Sequence, residues 1–208
     1  MTRFFVNESE IKPPPGVISL DQILKHVEET HLSSDSVVKQ IHIDGLPVLP
    51  NSSGKLSEAF RVMANTETVE IFTGTMSEIA RESLSEAIDY VHRIELITPS
   101  LANSFQNSPG PEAFENLRQL SEGFYWLHIL LENIEKSYGL SLRGFLIQQV
   151  PIEDHLQKLI SVLKQLVESQ EKGDFTMISD LLEYEILPLM PVWREIFGFV
   201  SKKVSEAG

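Results

Sequence analysis

The chain contains no cysteine in 208 residues, which excludes disulfides, thiolate metal sites and cysteine nucleophiles. Basic residues are scarce too: 17 lysines and arginines face 30 acidic groups, for a formal charge of −13. That balance opposes the phosphate neutralisation on which nucleic-acid binding depends, so no nucleic acid is expected as a partner. The acidity is spread, with six basic and ten acidic groups in residues 1–74 and 11 and 20 in residues 75–208. Such a spread reads as solvated faces and not as an acidic tail. No apolar run approaches the roughly 18 residues of a membrane span. The start, Met1 to Glu8, has one basic residue and three apolar ones in a row, too few for a signal-peptide core. The expectation is a cytoplasmic protein with no membrane partner, in which the sequons at Asn7 and Asn51 carry no meaning.

Catalytic signatures are missing as well. Among His26, His31, His42, His92, His128 and His155 no two stand four apart around a glutamate, as a zinc-protease helix requires. A carboxylate-bridged di-metal bundle needs two Glu-x-x-His motifs on facing helices. The near matches are Glu28/His31 and Asp89/His92, and both read as chance. There is no Gly-x-Ser-x-Gly elbow, and Gly139 to Gly144 has the spacing of a phosphate loop without its Lys-Ser/Thr, so it reads as a loop. No cofactor and no metal is expected.

What the chain does have is a change of hydrophobic period near Gly74. Before it, short alternating segments surround one helix. After it, about 130 residues repeat apolar side chains every three or four positions with no strand signal. Two domains are expected, 1–74 and 75–208, in an α+β chain.

In the first, Thr2–Val6 and Glu10–Lys12 form a hairpin about Asn7-Glu8-Ser9, followed by a rigid Pro13–Gly16 corner. Ser19 and Gln22 make a capping-box pair for a helix to about Thr30, whose apolar face (Leu20, Ile23, Leu24, Val27) must cover a sheet. Val37–Ile43 is a strand, Asp44-Gly45 a turn, and Leu46-Pro47-Val48 a short or edge strand, since proline cannot donate to a ladder. A polar loop at 51–54, a helical turn over Leu56–Met63 and a last strand over Thr68–Thr73 complete it. This element order resembles the ubiquitin-like β-grasp fold. The resemblance covers about a third of the chain and implies a small scaffold for protein contacts. A conjugated modifier is excluded, because Gly74 is followed by Thr75 and another domain.

In the second, four amphipathic runs predict an antiparallel four-helix bundle. Ala80, Leu84, Ala87, Val91 and Ile94 form one seam, in a helix over 77–97. Leu117, Leu120, Phe124, Leu127, Leu131, Ile134 and Tyr138 form another, over 112–138. Ile152, Leu156, Leu159, Leu163 and Leu166 form the third, to about Gln170. The fourth, capped by Asp174, carries Ile178, Leu182, Ile186, Leu189, Trp193, Ile196 and Val200. Pro99–Asn107 either extends the first helix or makes a separate short one. Pro188 and Pro191 either kink or split the last. Residues 139–150 are too apolar for an ordinary loop: they fold back as a short helix or form an exposed patch for a partner.

Two clusters invite a functional reading. Glu183 and Glu185 flank Tyr184 beside Pro188, where a kink with adjacent acids can hold a cation or a basic side chain, although residues two apart diverge on a helix. Phe124-Tyr125-Trp126, next to His128, wraps about 200° of a helix, more than one seam, so Tyr125 or Trp126 must meet the other domain, a partner or a ligand. Candidate partner-contact residues are therefore Tyr125, Trp126, Phe145, Ile147 and Tyr184. The tail Asp180–Pro188 with Trp193-Arg194-Glu195-Ile196 is loosely similar in layout to four-helix bacterial secretion chaperones, such as flagellar export chaperones. The whole pairing looks like an uncharacterised bacterial two-domain family with no assigned activity. Two functions follow: a non-catalytic adaptor that meets another polypeptide or a second copy of itself, or a small-molecule- or metal-binding bundle, with or without enzymatic activity, using carboxylates with His92 or His128.

Overall fold

A computed structural model describes residues 2–13, 16, 19–48 and 66–207. The helical turn expected at Leu56–Met63, the loop at 51–54 and half of the Pro13–Gly16 corner lie outside these residues. The chain divides into two compact units, Met1–Ile79 and Ala80–Gly208.

The first unit is a mixed five-stranded sheet with one helix. Its strands are β1 (Arg3–Val6), β2 (Ser9–Ile11), β3 (Ser36–Ile43), β4 (Leu46–Pro47) and β5 (Thr68–Thr75), in the order β2-β1-β5-β3-β4. β1 and β5 run parallel; every other pair is antiparallel. Helix α1 (Leu20–Thr30) starts at Ser19, whose hydroxyl accepts from the Gln22 amide while the Gln22 side chain returns to the Ser19 amide. Both halves of the expected capping box are therefore made. Leu20, Ile23 and Val27 of α1 bury against Phe4, Val6, Ile41, Val69 and Ile71, which alternate inward along their strands.

Both hairpin turns of the sheet fasten themselves to β5. Asn7 and Glu8 have φ of 45° and 67°, the left-handed conformation that a tight hairpin needs. The Asn7 side chain accepts from the Thr73 amide at 2.9 Å and donates to the Thr73 hydroxyl at 2.7 Å. At the other end Asp44 (φ 50°) turns β3 into β4, and its carboxylate accepts from the Glu67 and Thr68 amides at 2.9 and 2.7 Å. β5 is two residues longer than expected and passes straight into a helix. Thr75 and Glu78 form a second reciprocal capping box there, at 2.9 and 3.1 Å.

The second unit is helical around one core. Helix α2 (Met76–Gln106) runs through Pro99 without stopping, so of the expected alternatives for Pro99–Asn107 the extension of the first helix holds, as far as Gln106. Proline leaves the Glu95 carbonyl without its helical donor, and the buried Thr98 hydroxyl bonds the Ile94 carbonyl at 2.6 Å. α3 spans Pro111–Tyr138 and ends at Gly139, which takes the left-handed C-cap conformation. α4 (Ile152–Lys172) ends the same way at Gly173. All seam residues named for the first, second and fourth runs are buried except Tyr138, which packs half-buried against the core.

Two expectations are corrected, and one left open is decided. Residues 139–150 form neither a short helix nor a uniform exposed patch. Within them lies a small antiparallel ladder, β6 (Leu146–Ile147) with β7 (Val150–Pro151), so the second half does contain strands. Leu142 and Ile147 point into the core while Leu146 is exposed, the two-residue alternation that a helical reading misses. The α4 seam is rotated: Ile152, His155, Leu159, Val162, Leu166 and Ser169 are buried, while Leu156 and Leu163 are only half-buried. The open alternative for the last run is decided by an interruption ahead of Pro188. α5 (Phe175–Asp180) passes through a π-helical turn over Leu181–Ile186 into α6 (Leu187–Ala207), giving the unit five helices where four seams predicted four. Pro188 has no amide to offer the Tyr184 carbonyl, and the Leu187 amide bonds Leu182 five residues back. Asp174 caps α5 as expected, accepting from the Met177 amide at 3.0 Å.

Candidate functional site

The five residues singled out as partner contacts are not gathered in one place. Tyr125 is 67% exposed and Tyr184 64%, each on a different helical segment. Trp126 is 37% exposed and sets its ring edge against Tyr90, with centroids 5.9 Å apart. Phe145 is 40% exposed and stacks obliquely on Phe199 at 4.9 Å. Ile147 is 8% exposed and belongs to the core, so it is removed from any contact surface; as an inward residue of β6 it is covered by its own chain. Trp126 finds its neighbour inside its own unit, and Tyr125 is left facing solvent.

Tyr125 stands at one end of an apolar strip that sequence periodicity did not isolate. On α3 it is joined by His128, and on α4 by Leu156, Ile160 and Leu163. Ile160 and Leu163 continue along α4 to the exposed Val167, beside Lys164 and Glu168. The rotated α4 seam is the cause. Burying His155, Val162 and Ser169 turns Leu156 and Leu163 partly outward, which lays an apolar row along the helix surface. A burial count along α4 with His155 admitted as a core residue carries this signal. His155 is accepted inside because its Nε2 bonds the Ile147 carbonyl at 3.1 Å, which also ties the β6–β7 hairpin to α4.

A second concavity of about 320 Å³ opens between α4 and the π-turn. Lys158, Ser161, Gln165, Asp180, Tyr184 and Glu185 supply its polar wall. The basic side chain that the acids at 183 and 185 suggested is present within the chain itself. Lys158 Nζ lies 3.2 Å from Glu185 Oε2, which leaves this wall internally neutralised on that side. Both partners are solvent-exposed, so the pair contributes little to stability.

The histidines and carboxylates do not converge. His92 lies 3.7 Å from Glu95 on α2, and Glu95 in turn holds Arg194 of α6 at 3.0 Å. His128 lies 3.5 Å from Glu132 on α3. Each histidine is thus placed beside a glutamate of its own helix, and His92 does not line the cavity that His128 borders. Among the described residues no three histidines or carboxylates are grouped where they can hold a metal ion. No helix among them is long and apolar enough to cross a membrane. Among the described residues the carboxyl with a large shift is Glu115, which the Arg118 guanidinium and then the Gln119 amide hold down to about 2 through hydrogen bonds. It sits on the exposed face of α3, away from both concavities.

A family model described as a domain of unknown function, DUF8042, matches residues 82–196, more than half of the chain, and the chain belongs to that family. No curated protein and no solved structure matches it.

Proposed function

We propose that this DUF8042 member is a non-catalytic interaction protein of the bacterial cytoplasm that meets another polypeptide along the α3–α4 strip. The observation that carries the reading is the apolar row Tyr125, Ile160, Leu163 and Val167, turned outward by the rotation of α4 and left partly or largely exposed among the described residues. Tyrosine suits such a site because it buries a large area at the cost of two torsions and keeps a polar tip. The chain's net acidity supports a partner other than nucleic acid. Within this reading the first unit is a ubiquitin-like β-grasp domain, which the strand order β2-β1-β5-β3-β4 with a parallel central pair supports. The second is an antiparallel four-helix bundle whose last member is interrupted at the π-turn. The glycine caps after α3 and α4 and the short link from α4 to α5 support that arrangement.

Photocrosslinking tests the reading. A benzophenone side chain at position 125 of the full chain, in the native cell, is expected to give one discrete polypeptide adduct. Val167→Asp is expected to remove it, while a probe at exposed Lys202 on α6 gives none. Adducts equal to the Lys202 control, or unaffected by Val167→Asp, count against the reading. An adduct at twice the chain's own mass identifies a second copy as the partner.

A further inference from the structure

Two rows of side chains border the strip, and both repeat on one period. On α4, Leu156, Ile160, Leu163 and Val167 stand four, three and four residues apart, the spacing of a helix-packing seam. At about 100° per residue this row lies about 100° round the helix from the buried face that runs from Ile152 to Ser169, so α4 carries a second seam beside its first. On α3, Ser121, Tyr125, His128 and Glu132 have the same spacing. Ser121, Tyr125 and His128 meet Leu156, Ile160 and Leu163 across a half-open concavity of about 120 Å³. Two of its polar groups are already engaged: the Ser121 hydroxyl donates to the Leu117 carbonyl at 2.9 Å, and His128 lies beside Glu132.

Period and charge narrow what covers it. A helical partner repeats its apolar stripe at steps of about 5 Å, the step of the row it meets, whereas an extended chain repeats same-side residues at about 7 Å and drifts out of register. Around the strip stand Glu132 on α3 and Glu153, Lys164, Glu168 and Glu171 on α4, which are four acids against one lysine. A second copy suits this rim poorly. Laid antiparallel so that Leu156 meets Val167 and Ile160 meets Leu163, it sets Glu153 against Glu171 at both ends, on a chain of charge −13. We infer that the occupant is a basic amphipathic helix of another protein, seated along α4 with one large apolar side chain in the concavity beside Tyr125. The inference rests on the polypeptide contact at this strip and names the kind of polypeptide.

The test uses the full chain and three labelled peptides, read by fluorescence anisotropy. The first, of lysine, alanine and leucine, has its leucines four, three and four apart and runs to roughly 20 residues, long enough to be helical once seated. The second replaces every lysine with glutamate. The third keeps the lysines and leucines and places a proline at the centre, which breaks the helix. The basic peptide is expected to bind saturably and roughly tenfold or more tightly than either twin, with its lead over the acidic one shrinking as salt is added. Val167 is 53% exposed, so Val167→Asp leaves the core intact. That change is expected to weaken binding of the basic peptide roughly tenfold or more, the worth of one buried valine. Attraction between opposite charges alone predicts the reverse, since the aspartate makes the chain more acidic. No saturable binding of the basic peptide, equal binding of either twin, or binding that Val167→Asp leaves unchanged or tightens overturns the inference. If the cellular adduct at position 125 persists while the basic peptide fails, the polypeptide contact stands and its helical, basic occupant falls. An adduct at twice the chain's own mass also overturns the inference, and absence of any adduct takes the contact and the occupant together.

Discussion

The Tyr90 ring lies where a side chain at Gly123 would be: a Cβ built on Gly123 falls 1.7 Å from the Tyr90 hydroxyl oxygen. Gly123 is therefore the hole on α3 into which α2 places a tyrosine. The Tyr90 hydroxyl donates to the Gln119 carbonyl at 3.2 Å, and its ring meets Trp126 edge-on.

Helix propensity alone says that Gly123→Ala stabilises α3 by about 1 kcal/mol. Close approach reverses the sign. In the native chain the alanine is expected to expel the Tyr90 ring and to cost about 1–3 kcal/mol, as overpacking does. In a Tyr90→Ala background the same change is expected to stabilise. Urea unfolding of the four proteins of this cycle measures it, and a stabilising Gly123→Ala in the native background refutes the close approach.

The hairpin between β6 and β7 turns on two glutamines with φ of 51° and 64°, a conformation disfavoured for residues with a Cβ. Gln148 has compensation, since its side-chain amide donates to Glu195 at 2.8 Å. Gln149 makes no side-chain contact of that kind among the described residues. Gln149→Gly is expected to raise stability by about 0.5–1 kcal/mol, a gain limited by glycine's greater freedom in the unfolded chain. A rise of a few degrees in Tm is the readout. A fall would mean that the turn is not left-handed at that residue.

His155 joins α4 to that hairpin through the Ile147 carbonyl. His155→Phe keeps the ring volume and removes the bond, which strands a buried carbonyl at a cost of about 1–3 kcal/mol. Amide exchange at Ile147 to Ile152 is expected to accelerate more than exchange within α3. Uniform acceleration across the unit would indicate a packing effect in place of the bond.

Glu115 is held at about 2 by hydrogen bonds from Arg118 and Gln119. Its folded value lies below its ordinary one of 4.5, so any stability it supplies is complete above pH 4.5 and is lost as pH falls toward 2. A carboxyl-carbon NMR titration is expected to show Glu115 among the last side chains to protonate. Arg118→Gln is expected to return it toward the ordinary range. Because the pair is exposed, added salt weakens the shift.

Much of the core was legible in advance for a simple reason. Seams such as Ala80 to Ile94 and Leu117 to Ile134 bury only apolar groups, and period alone locates them. The capping pair Ser19/Gln22 and the cap Asp174 were legible because each places a side-chain oxygen at a fixed offset from an amide. α4 was misphased because its buried face includes His155 and Ser169, which a hydrophobic pattern passes over. Its apolar strip escapes the pattern for the same reason. The hairpin at 146–151 hid behind a turn that uses glutamine where glycine or asparagine is the usual signal. Ile147, named as a candidate partner contact, is buried as part of that hairpin.

The π-turn did leave a trace. The inward series Ile178, Leu182, Ile186 steps by four twice, where Leu189, Trp193, Ile196 and Val200 alternate between three and four. A wider turn absorbs one surplus residue in the helix. It follows that Leu181–Ile186 behaves as a length marker. Substituting Pro188 returns an amide but leaves the surplus residue in place, whereas deleting one residue there lets α5 and α6 merge into a single α-helix with Trp193 still in register. The same deletion is expected to remove the concavity beside Lys158 along with the turn.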